Sequence, residues 1–202
     1  LFFKPDGTKV YVTGGGVEVN EYNLSSAWDI STASYVQNFG VAAQGGGPSD
    51  IFFKPDGTKM YIVDFVADAV NEYTLSTAWD ISTASYAQNF SVAGQETVPT
   101  GLSFKPDGTK MYITGFSGNV NEYTLSTAWD VSSASYVQNF SVATEDSAPT
   151  SLAFKPDGTK MYITGSNDDE VNEYTLSTAW DISTASFAHN FSVAGQDSGP
   201  YS

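Results

Sequence analysis

The chain has 202 residues, of which 41% are hydrophobic and 14% aromatic, a globular composition rather than a disordered one. Its formal charge of −15 argues against a nucleic-acid binder, which needs Lys and Arg on phosphates. The absence of Cys removes disulfides, thiolate metal sites and a Cys nucleophile, and no apolar run approaches the ~18 residues of a membrane span.

The first recognisable stretch, Phe3-Lys4-Pro5-Asp6-Gly7-Thr8-Lys9, returns at Phe53, Phe104 and Phe154, and these four copies hold all eight Lys of a chain without Arg. A second marker, Ala-Trp-Asp, places its Trp at 28, 79, 129 and 180. Both advance together, so the chain reads as one domain of four repeats, 1–50, 51–101, 102–151 and 152–202. It opens at Leu1, inside a repeat, so a processed, excised or incompletely represented product is expected.

Each repeat reads as four short strands, expected in the third copy over 101–105, 110–114, 120–125 and 136–143. Val, Ile, Tyr, Phe and Thr dominate there, with apolar residues at period two such as Leu102/Phe104 and Met111/Ile113. Pro106, Asp107 and Gly108 suit a hairpin loop between strands one and two, with Pro presetting φ and Gly in the left-handed position. The stretch from Ser126 to Ser132 links strands three and four, where Ser and Asp suit a side-chain-capped turn or one helical turn. Each Trp is expected to pack on its own or the neighbouring sheet. A four-stranded unit repeated without linkers predicts an all-β fold, a β-propeller of four four-stranded blades. A single four-bladed ring is the preferred closure. One alternative is half of an eight-bladed ring, completed by a second chain as a homodimer; the other is that the four copies are part of a longer natural chain.

Pro-Asp-Gly followed by Tyr11-Val12-Thr13-Gly14, Tyr112-Ile113-Thr114-Gly115 or Tyr162-Ile163-Thr164-Gly165 resembles the bacterial and archaeal YVTN propeller repeats, and NHL-like propellers more widely. The longer unit with Asn-Glu-Tyr-Thr-Leu-Ser-Thr-Ala-Trp-Asp is similar to repeats in proteins of marine bacteria and their viruses. Gly or Asp replaces the final Asn of the YVTN stretch, and the unit is longer than usual. These families are mostly extracellular scaffolds or binding modules with no shared catalytic motif. The resemblance therefore implies a non-catalytic binding or adhesion propeller, not an enzyme, extracellular or on a viral or cell surface.

In this topology the one–two and three–four links share one face, and the two–three and four–one links share the other. The first face carries the eight Lys against eight Asp, four in the hairpins and four beside the Trp residues, and is charge-balanced. The second gathers most remaining acids and the differences between copies. Loops on a rigid scaffold are where a binding surface varies without disturbing the core. The candidate ligand-binding residues are therefore Asp64, Phe65, Asp68, Phe116, Asn167, Asp168, Asp169 and Glu170. A protein patch, a glycan or a divalent cation fits their charge, and a solvated face serving solubility is the alternative. The Asp168–Glu170 run lacks EF-hand spacing, and Gly14–Gly16 and Gly45–Gly47 lack the following helix of a phosphate cradle. No cofactor is expected. His189 stands where the other copies have Gln37, Gln88 and Gln138, as a substituted strand residue rather than a base. The Glu of Asn-Glu-Tyr recurs in every copy, which suits a structural hydrogen bond, because catalytic carboxylate pairs need unlike environments. The enzymatic alternative is a polysaccharide-acting protein using asymmetric acids on the second face, and a purely structural repeat scaffold is the third reading.

Overall fold

The computed structural model describes residues 1–197 and 199–200. The fold class is the expected one: an all-β, four-bladed β-propeller of four-stranded antiparallel sheets, and among the described residues the helical content is limited to short 3-10 turns. The chain divides into two compact units, Leu1–Ser91 and Val92–Ser202.

In the first unit, one sheet has β1 (Phe2–Phe3), β2 (Lys9–Gly14), β3 (Glu18–Leu24) and β4 (Ala33–Gly40), paired in chain order. The next has β5 (Pro48–Phe53), β6 (Lys59–Asp64), β7 (Ala69–Leu75) and β8 (Ala84–Ser91). Tyr11 and Val19 of the first sheet, with Val41 just past β4, pack against Ile51, Phe53, Met60, Ile62 and Tyr73 of the second and against Ile81 before β8 in one buried cluster. The second unit repeats the plan with β9 (Pro99–Phe104), β10 (Lys110–Gly115), β11 (Asn119–Leu125) and β12 (Ala134–Ser141), then β13 (Pro149–Phe154), β14 (Lys160–Gly165), β15 (Glu170–Leu176) and β16 (Ala185–Ser192). Tyr112, Val120 and Val142 meet Leu152, Met161, Ile163, Tyr174 and Ile182 in its core.

The hairpin motif forms the turn its residues suggest. Gly108 N donates to Lys105 O at 2.8 Å, Gly108 has φ +74°, and Asp107 accepts from the Thr109 amide at 3.0 Å and its hydroxyl at 2.6 Å. Gly is needed here twice over. Besides the left-handed φ, a Cβ on Gly57 would lie 2.3 Å from Trp79 Nε1, because the Trp of each repeat lies across the hairpin glycine of its own sheet. The Trp is itself left-handed, φ +66° at Trp79, a strain of order 1 kcal/mol or more that only a fixed surround sustains. A 3-10 turn follows directly, its first amides capped by the Asp beside the Trp: Asp80 accepts from Ser82 N at 3.0 Å and Ser82 Oγ at 2.7 Å.

The two Lys of each motif take different partners. The first Lys of each motif pairs with its turn Asp, as in Lys54–Asp56 at 2.7 Å. The second reaches across the sheet to the Glu of Asn-Glu-Tyr, as in Lys110–Glu122 at 2.6 Å and Lys160–Glu173 at 2.6 Å. The Asp beside each Trp is spent on the cap instead. The reason is register: Lys110 pairs with Thr124 on the adjacent strand, two residues from Glu122 and on the same side of the sheet.

Candidate functional site

The two–three and four–one links emerge at the same strand ends, where the copies differ. In the first unit, Asp64 ends β6 and is buried, so it is not part of a solvated acidic surface. Its carboxylate accepts from Gly47 N at 3.0 Å, Val66 N at 2.9 Å and Ala67 N at 2.9 Å. Asp64 is thus committed to holding two links, and the expectation that it binds a ligand finds it with its oxygens engaged. Phe65 is 45% exposed beside it, and Asp68 is half-buried with φ +48°, closing the turn.

The second unit holds two more buried acids that sequence reasoning did not single out as site residues. Glu96 accepts from Val98 N at 3.1 Å and from the Ser117 amide and hydroxyl at 3.2 and 2.5 Å. Asp146 accepts from Ala148 N at 2.7 Å, while its Oδ2 is buried without a hydrogen-bond partner in the structure. Each of the three faces a glycine: Asp64 lies against Gly45, Glu96 against Gly115 and Asp146 against Gly165, where a Cβ would come within 2.0–2.6 Å of carboxylate atoms. The signal was in the sequence as an exchange. Where the four–one link has Gly45, the two–three link has Asp64. Where the four–one link has Glu96 or Asp146, the two–three link has glycine.

Phe116 is 44% exposed in its link, and Asn167 is exposed, donating to Ser147 Oγ at 2.7 Å. The acidic run 168–170 is not equivalent along its length. Asp169, at φ +53°, accepts from Gly199 N at 2.6 Å, and Glu170 accepts from the Asn190 side chain across the sheet. Asp168 is the exposed acid of the three. No cluster of three or more metal-ligating side chains occurs among the described residues.

The recurrent Glu is a structural group. Glu21 is buried and takes Lys9, Gln37 Nε2 at 2.9 Å and Ile81 N at 3.3 Å. His189 lies 3.7 Å from Glu173 in the slot that Gln37 fills beside Glu21. Hydrogen bonds from the Ser82 hydroxyl and from Gln37 hold the Asp80 carboxyl below its ordinary range, and the Ser183 hydroxyl does the same for Asp181, helped by Gln138. Burial, then the Glu21 charge, push the Tyr11 phenol well above its usual value, so it serves as a donor.

No family model and no curated protein matches the chain, so the YVTN and NHL-like resemblance stands at the level of the β-propeller alone. Solved structures do match. A candidate 6-phosphogluconolactonase from Bacteroides uniformis aligns with 98% of this chain and 55% of its own, at TM-score 0.64 and 14% identity. The periplasmic gluconolactonase of Pseudomonas aeruginosa aligns over 94% and 52%, at 0.57 and 18%. A hydrazine synthase from Kuenenia stuttgartiensis aligns over 93% and 47%, at 0.60 and 18%. The chain spans about half the length of these proteins.

These identities establish a shared fold. The expectation of a non-catalytic adhesion propeller that is not an enzyme is corrected by the names that similar structures carry, 6-phosphogluconolactonase and gluconolactonase, which agree better with the enzymatic alternative. No helix of the described residues is long and apolar enough to cross a membrane, and one similar structure is named as periplasmic.

Proposed function

We propose that the chain is part of a carbohydrate-acting hydrolase whose loop end opens a neutral sugar-acid lactone. The reading is supported by the names of similar propellers and, within this chain, by the unlike environments of the three acids at 168–170. Asp169 and Glu170 are tied to Gly199 and Asn190, whereas Asp168 is exposed and sits beside Asn167. That difference is the observation that carries the proposal, because a water-activating carboxylate has to be distinct from its structural neighbours.

The chemistry is a carboxylate-assisted acyl transfer to water. Asp168 takes a proton from water as its oxygen attacks the lactone carbonyl. The tetrahedral intermediate then collapses with cleavage of the ring C–O bond, and the proton passes to the departing alkoxide to leave a hydroxy acid. Charge selects among lactones. All eight Lys lie in the hairpin motifs, at the opposite strand ends from these links, so a phosphorylated substrate would meet acids and no cation. A neutral lactone is favoured over its 6-phosphate. An extracellular or surface setting is in keeping with the resemblance of the repeats and with the periplasmic neighbour.

Proton release in a pH-stat tests this on the chain as it stands, with glucono-δ-lactone, 6-phosphogluconolactone and a panel of polysaccharides. The neutral lactone should hydrolyse faster than in buffer, and Asp168→Asn should lower that acceleration by about 100-fold or more, the usual contribution of a general base. No acceleration over buffer, or preference for the phosphorylated lactone, would overturn it. Reducing-end release from a polysaccharide without lactone turnover would move the activity to glycosidic bonds.

A further inference from the structure

We infer that the chain docks head to tail on a second copy of itself, the first sheet of one copy receiving the fourth sheet of the next. Each unit contains one internal sheet-to-sheet junction, and the two are built alike. In the first unit, Tyr11 Oη donates to Trp79 O at 2.6 Å, Gln37 Nε2 donates to Asp80 at 2.8 Å, and Glu21 accepts from Ile81 N at 3.3 Å. In the second, Tyr112 Oη donates to Trp180 O at 2.7 Å, Gln138 Nε2 to Asp181 at 3.0 Å, and Glu122 accepts from Ile182 N at 3.4 Å. Phe39 against Tyr73 and Phe140 against Tyr174, both at 5.6 Å and near perpendicular, complete each junction.

The receiving half of this junction is open on the first sheet. Trp28 is 58% exposed and Ile30 67%, where Ile81 and Ile182 are at 0%. The donating half is open on the fourth sheet. Phe191, the counterpart of Phe39 and Phe140, is 70% exposed, and Tyr162 is half-buried where Tyr11 and Tyr112 are at 0%. The open halves match each other position by position. Tyr162 would donate to the Trp28 carbonyl, Glu173 would accept from Ile30 N, and the His189 imidazole would donate to Asp29 in place of Gln.

The glycine–acid exchange supplies an independent fit. Each internal junction has one acid and one glycine, never two of either. At the open ends the four–one link offers Asp197, and the two–three link offers Gly14, around whose Cβ position nothing lies within 4 Å. A blade of this same repeat is therefore the occupant that both faces describe, and a second copy presents it. An interface of this kind joins two different patches, so it propagates or closes in a ring rather than pairing two identical faces.

Sedimentation equilibrium on three proteins tests it. The wild-type chain should show concentration-dependent masses of two or more chains. Ile30→Arg spoils the receiving face and Phe191→Asp the donating face. Both positions are largely exposed in the single chain, so each variant should remain folded by circular dichroism and run as a monomer. Mixing the two variants restores one intact junction and should give a one-to-one complex of doubled mass. A wild-type protein that stays monomeric at all concentrations, or variants that fail to associate on mixing, would overturn the inference.

Discussion

Tyr11 Oη donates to the carbonyl of Trp79 at 2.6 Å, joining the second strand of one sheet to the left-handed Trp of the next. The Tyr is fully buried and its phenol is held protonated by burial and by Glu21. The second unit makes the equivalent bond from Tyr112, but there Lys110 Nζ also donates to the Trp180 carbonyl at 2.8 Å. The same device thus has one donor in one place and two in the other.

Removing the hydroxyl should therefore cost unequally. Tyr11→Phe leaves the part-buried Trp79 carbonyl without this donor and should destabilise by about 1–2 kcal/mol. Tyr112→Phe leaves Lys110 in place and should fall at the lower end of that range. Urea denaturation of both variants checks this, and equal losses would show that the lysine contributes nothing to the carbonyl.

The hairpin glycine answers to two constraints at once. Gly57→Ala has to accommodate φ +74°, about 1–2 kcal/mol for an L-residue, and also displace the Trp79 ring from 2.3 Å. A loss of stability above about 2 kcal/mol is expected, with a change in Trp fluorescence. Gly46→Ala, with nothing within 4 Å of its Cβ, should stay within about 0.5 kcal/mol of wild type.

Acid should weaken the protein through the hairpin aspartates. Burial tends to raise the Asp56 and Asp107 carboxyls, but hydrogen bonds from Lys54 and Thr58, and from Lys105 and Thr109, outweigh it and bring both to about 2 from an ordinary 3.8. A folded pKa below the unfolded one means that the unfolded chain binds protons first. The contribution is complete above the unfolded value and is lost as pH falls from about 4 towards about 2. Urea midpoints should drop across that interval, and Asp56→Asn with Asp107→Asn should lower stability at pH 7 while flattening the drop. A variant whose midpoint falls as steeply as wild type would place the acid sensitivity elsewhere.

Much of this was legible before any coordinates. The hairpin at Lys105–Gly108, the strand composition around Met111 and Ile113, and the capping Asp130 each act within a few residues of sequence. Local rules therefore reach them. The strand ends shifted by one or two residues, as at β9 and β12, because a register shift between Glu122 and Tyr123 and another at Thr114/Gly115 move the pairing. The candidate site depends more on contacts between distant parts of the chain. Sequence places Asp64, Glu96 and Asp146 in the links but cannot show that each is buried beside a glycine some 20 residues away in the chain. The acidic face was overcounted for that reason. Asp168 lies in the two–three link, as its place in the repeat implies, and its difference from Asp169 and Glu170 depends on Gly199 and Asn190, which are distant in sequence.

The glycine–acid exchange can be tested as a swap. Gly45→Asp alone would drive a side chain into Asp64, whose Oδ2 lies 2.1 Å from the built Cβ. Asp64→Gly alone would leave the amides of Gly47, Val66 and Ala67 without their acceptor. Each single change should cost more than about 2 kcal/mol, from overpacking and a crowded carboxylate in the first and unpaired buried donors in the second. The double variant recreates the arrangement that Asp146 and Gly165 already adopt, with the acid on the four–one link and the glycine on the two–three link. Its stability should recover most of the loss, with a coupling above about 1 kcal/mol in the cycle. Additive losses would mean that the carboxylate is fixed by its own link rather than by the space its partner leaves.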